Sequence, residues 1–293
     1  MPQFFVLLAA MLWGTIAIFV KQLTQFGFTE MEIVTIRVLF AFIWLIPVIL
    51  LQQKAVSLKI DIRHLWYFVG TGLCSIVFFN WAYFKAINIM SISIAVMLLY
   101  TAPAFVAILS VIILKESMSK KKIAAIAVTI TGCAIIALTG SGAQGEWSIV
   151  GFMIGLCSGL GYALYTIFGK LALRDYDSLI ITFYTFLTAT ICLIAFFPFW
   201  KKAVALPLEA WLYMGGLGLL PTVLAYLLYT NGLKKIDSSI ASIFATVEPV
   251  AAVFIGISLY QEKLFTGQVI GAMLILSSIL IISEKKKNRS ILE

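Results

Sequence analysis

SIASIFATVEPVAAVFIGISLYQE, residues 239–262, has the length and apolarity of a membrane span, for which about 20 residues suffice, yet it holds Glu248 followed by Pro249 near its middle. Moved back by 146 positions it falls on SIAVMLLYTAPAFVAILSVIILKE, residues 93–116. Ser93 to Ala95 then match Ser239 to Ala241, Pro103 matches Pro249 and Glu116 matches Glu262, in order and without a gap. Tyr83 and Tyr229 stand at the same offset. An offset of 149 sets the first apolar run on the sixth, with Phe19 on Phe168, Lys21 on Lys170 and Trp13 opposite Tyr162. Identity across these stretches is low, and it is the ordered set that carries weight.

The surrounding chain is built from the same material. Of 293 residues, 62% are hydrophobic and 12% charged, and the mean hydropathy is +1.06, whereas a soluble domain carries about a quarter charged residues. Apolar runs predict ten spans, roughly 4–20, 31–51, 65–87, 91–114, 122–140, 147–169, 178–199, 210–233, 238–259 and 267–283. No polar block between them is large enough for a soluble domain. The N-terminus, MPQFFVLLAAMLWG, lacks the basic start and cleavage site of a removable signal and reads as a retained first helix. With that end inside, fifteen Lys and Arg fall in inner segments, among them Lys54, Lys115, Lys122, Lys234 and the tail from Lys285, against five in outer ones. Positive residues stay on the cytoplasmic side, so both termini are expected in the cytoplasm of a multi-pass cell-membrane protein. The net charge of +8 belongs to this orientation; scattered in short clusters, it does not make a nucleic-acid surface.

Each half holds five spans, and an odd number inserts the second half upside down. The expected fold is an all-α integral membrane protein of ten transmembrane helices, two inverted five-helix repeats (1–140 and 147–283) around a central cavity, with a basic tail at 284–293. Inverted repeats are the build of many secondary transporters, with the substrate site near the midplane.

Trp13 and Gly14 early in span one, Arg37 in span two, Pro103 then Glu116 in span four, and Glu248, Pro249 then Glu262 in span nine together resemble the EamA family of the drug/metabolite transporter superfamily. The resemblance runs over essentially the whole chain. It implies a ten-helix carrier with cytoplasmic ends and a central cavity, exporting amino acids or other small metabolites.

The residues themselves mark where cargo would sit. A carboxylate such as Glu248 near mid-bilayer costs at least ~2.5 kcal/mol on insertion scales, so it must face protein or water. Ala241, Ala245 and Ala252 share its stripe and leave space beside it. Pro249 lacks a backbone donor and clashes with the carbonyl of Ala245, so Pro103 and Pro249 are the expected hinges. A permanently paired structural acid is the competing reading of Glu248. Arg37 has three readings: ligand for a substrate carboxylate, counter-ion of Glu248, or anchor of the outer mouth. Asn80, Tyr100, Tyr162, Tyr165 and Tyr226 join Trp13 as expected cavity walls, suited to apolar groups or to an amine by cation–π contact. Tyr83 and Tyr229 continue the stripes of Asn80 and Tyr226 as pseudo-symmetric walls, with an interfacial belt as the competing reading for both and for Trp66. Glycine ridges at Gly151, Gly155 and Gly159, and at Gly267 and Gly271, are assigned to helix packing. Glu116 and Glu262 read as ion pairs or gate contacts at helix ends.

Neither paired aspartates, HExxH, a Ser with His, nor a phosphate-binding loop occurs, which argues against an intramembrane enzyme or a nucleotide-driven pump. Cys74, Cys133, Cys157 and Cys192 lie in apolar runs without pairing motifs, and His64 has no partner ligands, so neither metal nor cofactor is expected. The expected partners are a small-molecule substrate and the lipid bilayer, and not nucleic acid. Proton coupling and a homodimer stay open. A secondary carrier working by alternating access leads; a channel-like or assembly protein is the alternative.

Overall fold

The computed structural model describes residues 2–51, 58–139, 148–203, 206–261 and 263–283; Lys54, Glu262 and the tail 284–293 lie outside them. Among the described residues all regular structure is helical. Nine helices there are long and apolar enough to cross a membrane: α1 Pro2–Gln25, α2 Glu30–Leu51, α3 Ile62–Ile89, α4 Ile92–Leu114, α5 Lys120–Thr139, α6 Ile149–Ala172, α7 Ser178–Phe196, α8 Leu208–Leu233 and α9 Ser238–Tyr260. A shorter apolar helix, α10 Thr266–Ser283, follows. Exposed Phe4, Trp44, Trp81, Ile112 and Phe254 place apolar side chains on the outside, as a lipid-facing surface requires. This is a multi-pass membrane protein.

Local chemistry sets the helix ends. At the start of α2 the Thr29 N–H donates to Glu32 Oε2 at 2.8 Å, one arm of a capping box, and Lys202 pairs with the same carboxylate at 2.6 Å. Ser91 begins α4 by accepting from the Ile94 N–H at 3.3 Å, so the short INIMS segment does divide α3 from α4. The run expected to reach 199 ends at Phe196, two residues before Pro198, whose ring cannot continue a helix.

Three helices are broken in mid-course, at Thr15 in α1, at Tyr100–Thr101 in α4 and at Thr246 in α9. At each break a threonine hydroxyl donates to the carbonyl three residues back: Thr15 to Leu12, Thr101 to Leu98 and Thr246 to Ile243, all at 2.6 Å. In α4 and α9 the break precedes Pro103 and Pro249, and the hydroxyls help to satisfy carbonyls that irregular backbone would leave open in a dry interior.

Packing repeats itself between distant helices. α1 lies against α8 and α9, while α6 lies against α3 and α4. Phe168 of α6 fills the space over Gly70 of α3, and Phe19 of α1 does the same over Gly216 of α8. Gly72 of α3 faces Thr185 and Thr188 of α7, and Gly218 of α8 faces Phe40 and Ala41 of α2. Wide π-helical turns occur at Gly70–Val77 in α3 and at Leu219–Leu224 in α8, and a third at Ser110–Leu114 ends α4. Lys115 and Gln261, the described non-glycine residues with positive φ (59° and 53°), close α4 and α9 at equivalent places. Between the two sets runs a seam of α5 and α10, where the Gly132 and Gly271 backbones touch and Thr129 donates to Ser278 at 2.7 Å. The glycine ridge of α6 presses on Met90, just ahead of α4, and on Leu98 and Thr101 at its break, so both ridges serve close helix contact.

Candidate functional site

Glu248 sits just past the break in α9, half-buried, with the buried Val247 and Pro249 on either side. Its Oε2 accepts a hydrogen bond from the Tyr162 hydroxyl of α6 at 3.1 Å. Tyr83, Tyr100, Cys133, Tyr162 and Tyr226 lie within electrostatic reach of the carboxylate, as does the Arg37 guanidinium. The WG pair of α1 builds the next wall. A Cβ on Gly14 would stand 2.7 Å from Ala251 Cβ and 3.1 Å from the Glu248 carbonyl, so only glycine lets α1 press this closely on the backbone of the acid. Trp13, 5% exposed, is thereby carried into the interior, where its ring meets Tyr229 at 5.1 Å, Tyr226 at 5.3 Å and Tyr162 at 6.3 Å.

Tyr226 links this cluster to Arg37. It meets Tyr165 edge-on at 4.8 Å and Phe186 at 5.1 Å, with the Arg37 guanidinium 5.8 Å from its ring centre. Arg37 Nε donates to Thr222 Oγ1 at 3.0 Å, and that hydroxyl donates in turn to the Leu217 carbonyl five residues back at 2.7 Å. The five-residue reach is that of a π turn, so Arg37 fastens α2 to the wide turn of α8. The described ion pairs do not join Arg37 to Glu248 in contact; the hydrogen-bond partner of the acid is a tyrosine, and the arginine acts on it only through space.

Two small cavities, each about 10 Å³, lie within the cluster. One is bounded by Tyr100, Pro103, Ser242 and Thr246, the other by Trp13, Ser75, Phe79, Tyr165 and Tyr226, and both touch Tyr162, Thr166 and Tyr229. Tyr229, 2% exposed and bonded to Thr166 at 2.6 Å, is therefore an interior wall and not a belt residue. Tyr83, for which a belt is the competing reading, is half-buried. The 146-residue offset that pairs the two is the signal that sets both on the walls. Trp66 is exposed, as expected. Asn80 is buried, but its amide donates to the Ile76 carbonyl of its own helix at 2.7 Å and borders neither cavity; it supports the end of the π turn in α3. Tyr165 is tied to Thr230 at 2.9 Å.

A second polar cluster, not foreseen beyond Glu116 itself, closes the face that holds the start of α1. Glu116, past the end of α4, accepts from the Ser238 N–H at 2.8 Å and the Ser239 N–H at 3.5 Å, capping α9 where helix-terminal N–H groups favour an anion. Lys122 of α5 pairs with Asp237 at 2.7 Å. Lys170 of α6 donates to the Leu233 and Ile236 carbonyls, both at 2.7 Å, closing the end of α8. Residues from α4, α5 and α6 thus hold the α8–α9 connection. Glu116→Gln removes the charge from this cap, for an expected loss of about 1 kcal/mol read as a lower melting temperature; an unchanged melt would mean that the contact is solvated and idle.

Among the described residues no cluster of His, Cys, Asp and Glu could hold a metal ion. The model of the EamA-like transporter family matches residues 1–138 and 149–284. An uncharacterized transporter of Archaeoglobus fulgidus is 27% identical over 277 residues, covering 94% of each chain. The uncharacterized transporter YyaM of Bacillus subtilis is 28% identical over 222 residues, 74% of this chain and 72% of its own. A solved crystal structure shares the fold with a TM-score of 0.79 over 96% of both chains at 16% identity. Since the family match takes in nearly every helix and both polar clusters, the chain belongs to the EamA-like transporter family.

Proposed function

We propose that this protein is a secondary carrier of ten spans, arranged as two inverted five-helix repeats, that moves a small amino acid or related amine or metabolite outward across the cell membrane by alternating access. The observation that carries the reading is the half-buried Glu248 carboxylate, set among Trp13, Tyr100, Tyr162 and Tyr226 from four different helices. A structural acid would be expected in a dry ion pair, whereas this one keeps a single tyrosine partner and accessible surface. The exchanged packing of Phe168 on Gly70 and Phe19 on Gly216, the matching π turns of α3 and α8 and the two left-handed closures support the repeat. α10, running along α5 from Gly267 beside Thr139 to Ser278 beside Thr129, supports the tenth span. The excess of Lys and Arg in alternate connections supports cytoplasmic termini. On that orientation the Glu116, Lys122 and Lys170 contacts form the inner closure that cargo must open, and the breaks before Pro103 and Pro249 are where α4 and α9 would flex.

Counterflow into proteoliposomes preloaded with single amino acids or amines tests this reading. The expected result is saturable uptake of labelled cargo driven by unlabelled cargo inside, which a channel does not give. Conductance without saturation or counterflow would overturn it.

A further inference from the structure

We infer that the Tyr162 hydroxyl occupies the Glu248 carboxylate in place of the cargo, as a movable partition between two half-sites, and that the ligand which displaces it is an ammonium bearing at least one N–H on an aromatic or apolar body. The inference rests on the reading of Glu248 as a substrate ligand given above.

Space requires the partition to move. Each cavity has room for about one water, while small-molecule pockets run to about 300–1,000 Å³. Of the three residues common to both cavities, Thr166 and Tyr229 are 3% and 2% exposed and hydrogen-bonded to each other at 2.6 Å. Tyr162 is half-buried, and its hydroxyl makes one described hydrogen bond, to Glu248. It is the wall with least to lose by turning aside; its departure would merge the two cavities and free the carboxylate that its hydroxyl now occupies.

Chemistry then selects the ligand. Removing the tyrosine leaves a carboxylate in the interior without its donor, a costly state unless the incoming group donates in its place. An N–H of a primary, secondary or tertiary ammonium does this and adds charge; a quaternary ammonium brings charge alone. Beyond the partition the cavity wall is aromatic, from Trp13, Phe79 and Tyr226, which suits an apolar or aromatic body. Trp13 Nε1 is buried there without an acceptor, so an oxygen at the far end of the ligand would satisfy it.

Tyramine carries these three features, and its N,N,N-trimethyl analogue lacks only the N–H. Binding of both is measured by calorimetry on the purified full-length protein, wild type, Tyr162→Phe and Glu248→Gln. Tyramine is expected to bind wild type at least tenfold more tightly than the trimethyl analogue, and to bind Tyr162→Phe roughly tenfold more tightly than wild type, since one charge-assisted hydrogen bond need no longer be displaced. Tyr162→Met removes the hydroxyl with a different side chain and should show the same gain if the Phe variant folds poorly. Unchanged or weaker tyramine binding in both Tyr162 variants would overturn the inference, as would equal affinity for the two probes or no tyramine binding at all. Tyramine binding that survives undiminished in Glu248→Gln would instead remove Glu248 from the site and with it the functional reading.

Discussion

Glu248→Gln is expected to lower counterflow by tenfold or more while the protein melts at an equal or higher temperature. The two effects have one cause. The amide fills the same volume and can still accept from Tyr162, so packing around α9 is kept. What disappears is a charge in the interior, whose desolvation opposes folding. A charged hydrogen bond to cargo contributes about 1.5–3 kcal/mol, and losing the lower figure is already a tenfold effect. Flux near the wild-type level in proteoliposomes, with a preserved melt, would place the acid outside the transport cycle.

Gly271→Ala is expected to be strongly destabilising for a single added methyl group. Its Cβ would stand 2.5 Å from the Gly132 carbonyl oxygen and 2.7 Å from Ile136 Cγ1. The first neighbour is backbone and cannot turn away, so α5 and α10 must separate. Overpacking of this kind costs about 1–3 kcal/mol, and each kcal/mol is worth about 2–4 °C of melting temperature in a chain of this order of size. Gly169→Ala is the control, because its nearest neighbour, Leu233 Cδ2, is 3.7 Å away and ordinary contact results. Equal melting temperatures for the two variants would show that the seam yields under load.

Much of this architecture was legible because membrane spans announce themselves by length and apolarity, and because the matching SIA, Pro and Glu positions tie α4 to α9. The acid stood out for the same reason: a carboxylate in oil is expensive, so its presence asks for a partner. Which partner was not legible. Arg37 and Glu248 are the charges most easily paired on paper, yet the guanidinium is taken up by Thr222 and the acid by Tyr162. Sequence periodicity assumes 3.6 residues per turn throughout, and the π turns of α3 and α8 depart from it next to the residues in question. Asn80, three residues past one such turn, points its amide at Ile76, although an uninterrupted helix had put it on the cavity stripe with Tyr83. The clamp at Glu116 was invisible for another reason: Lys122 and Asp237 are 115 residues apart, and each alone looks like a solvated charge at a helix end.

The packing of α1 on α8 and α9 also bears on biogenesis. Trp13 leaves the ribosome more than two hundred residues before Tyr226, the ring it rests against, so α1 must wait in lipid with Gly14 uncovered until α9 arrives. Neighbours so distant in the chain slow folding, and they leave the nascent N-terminal segment incomplete by construction. A polypeptide released early would display the bed meant for α8 and α9, an open seat for the same helices of another molecule.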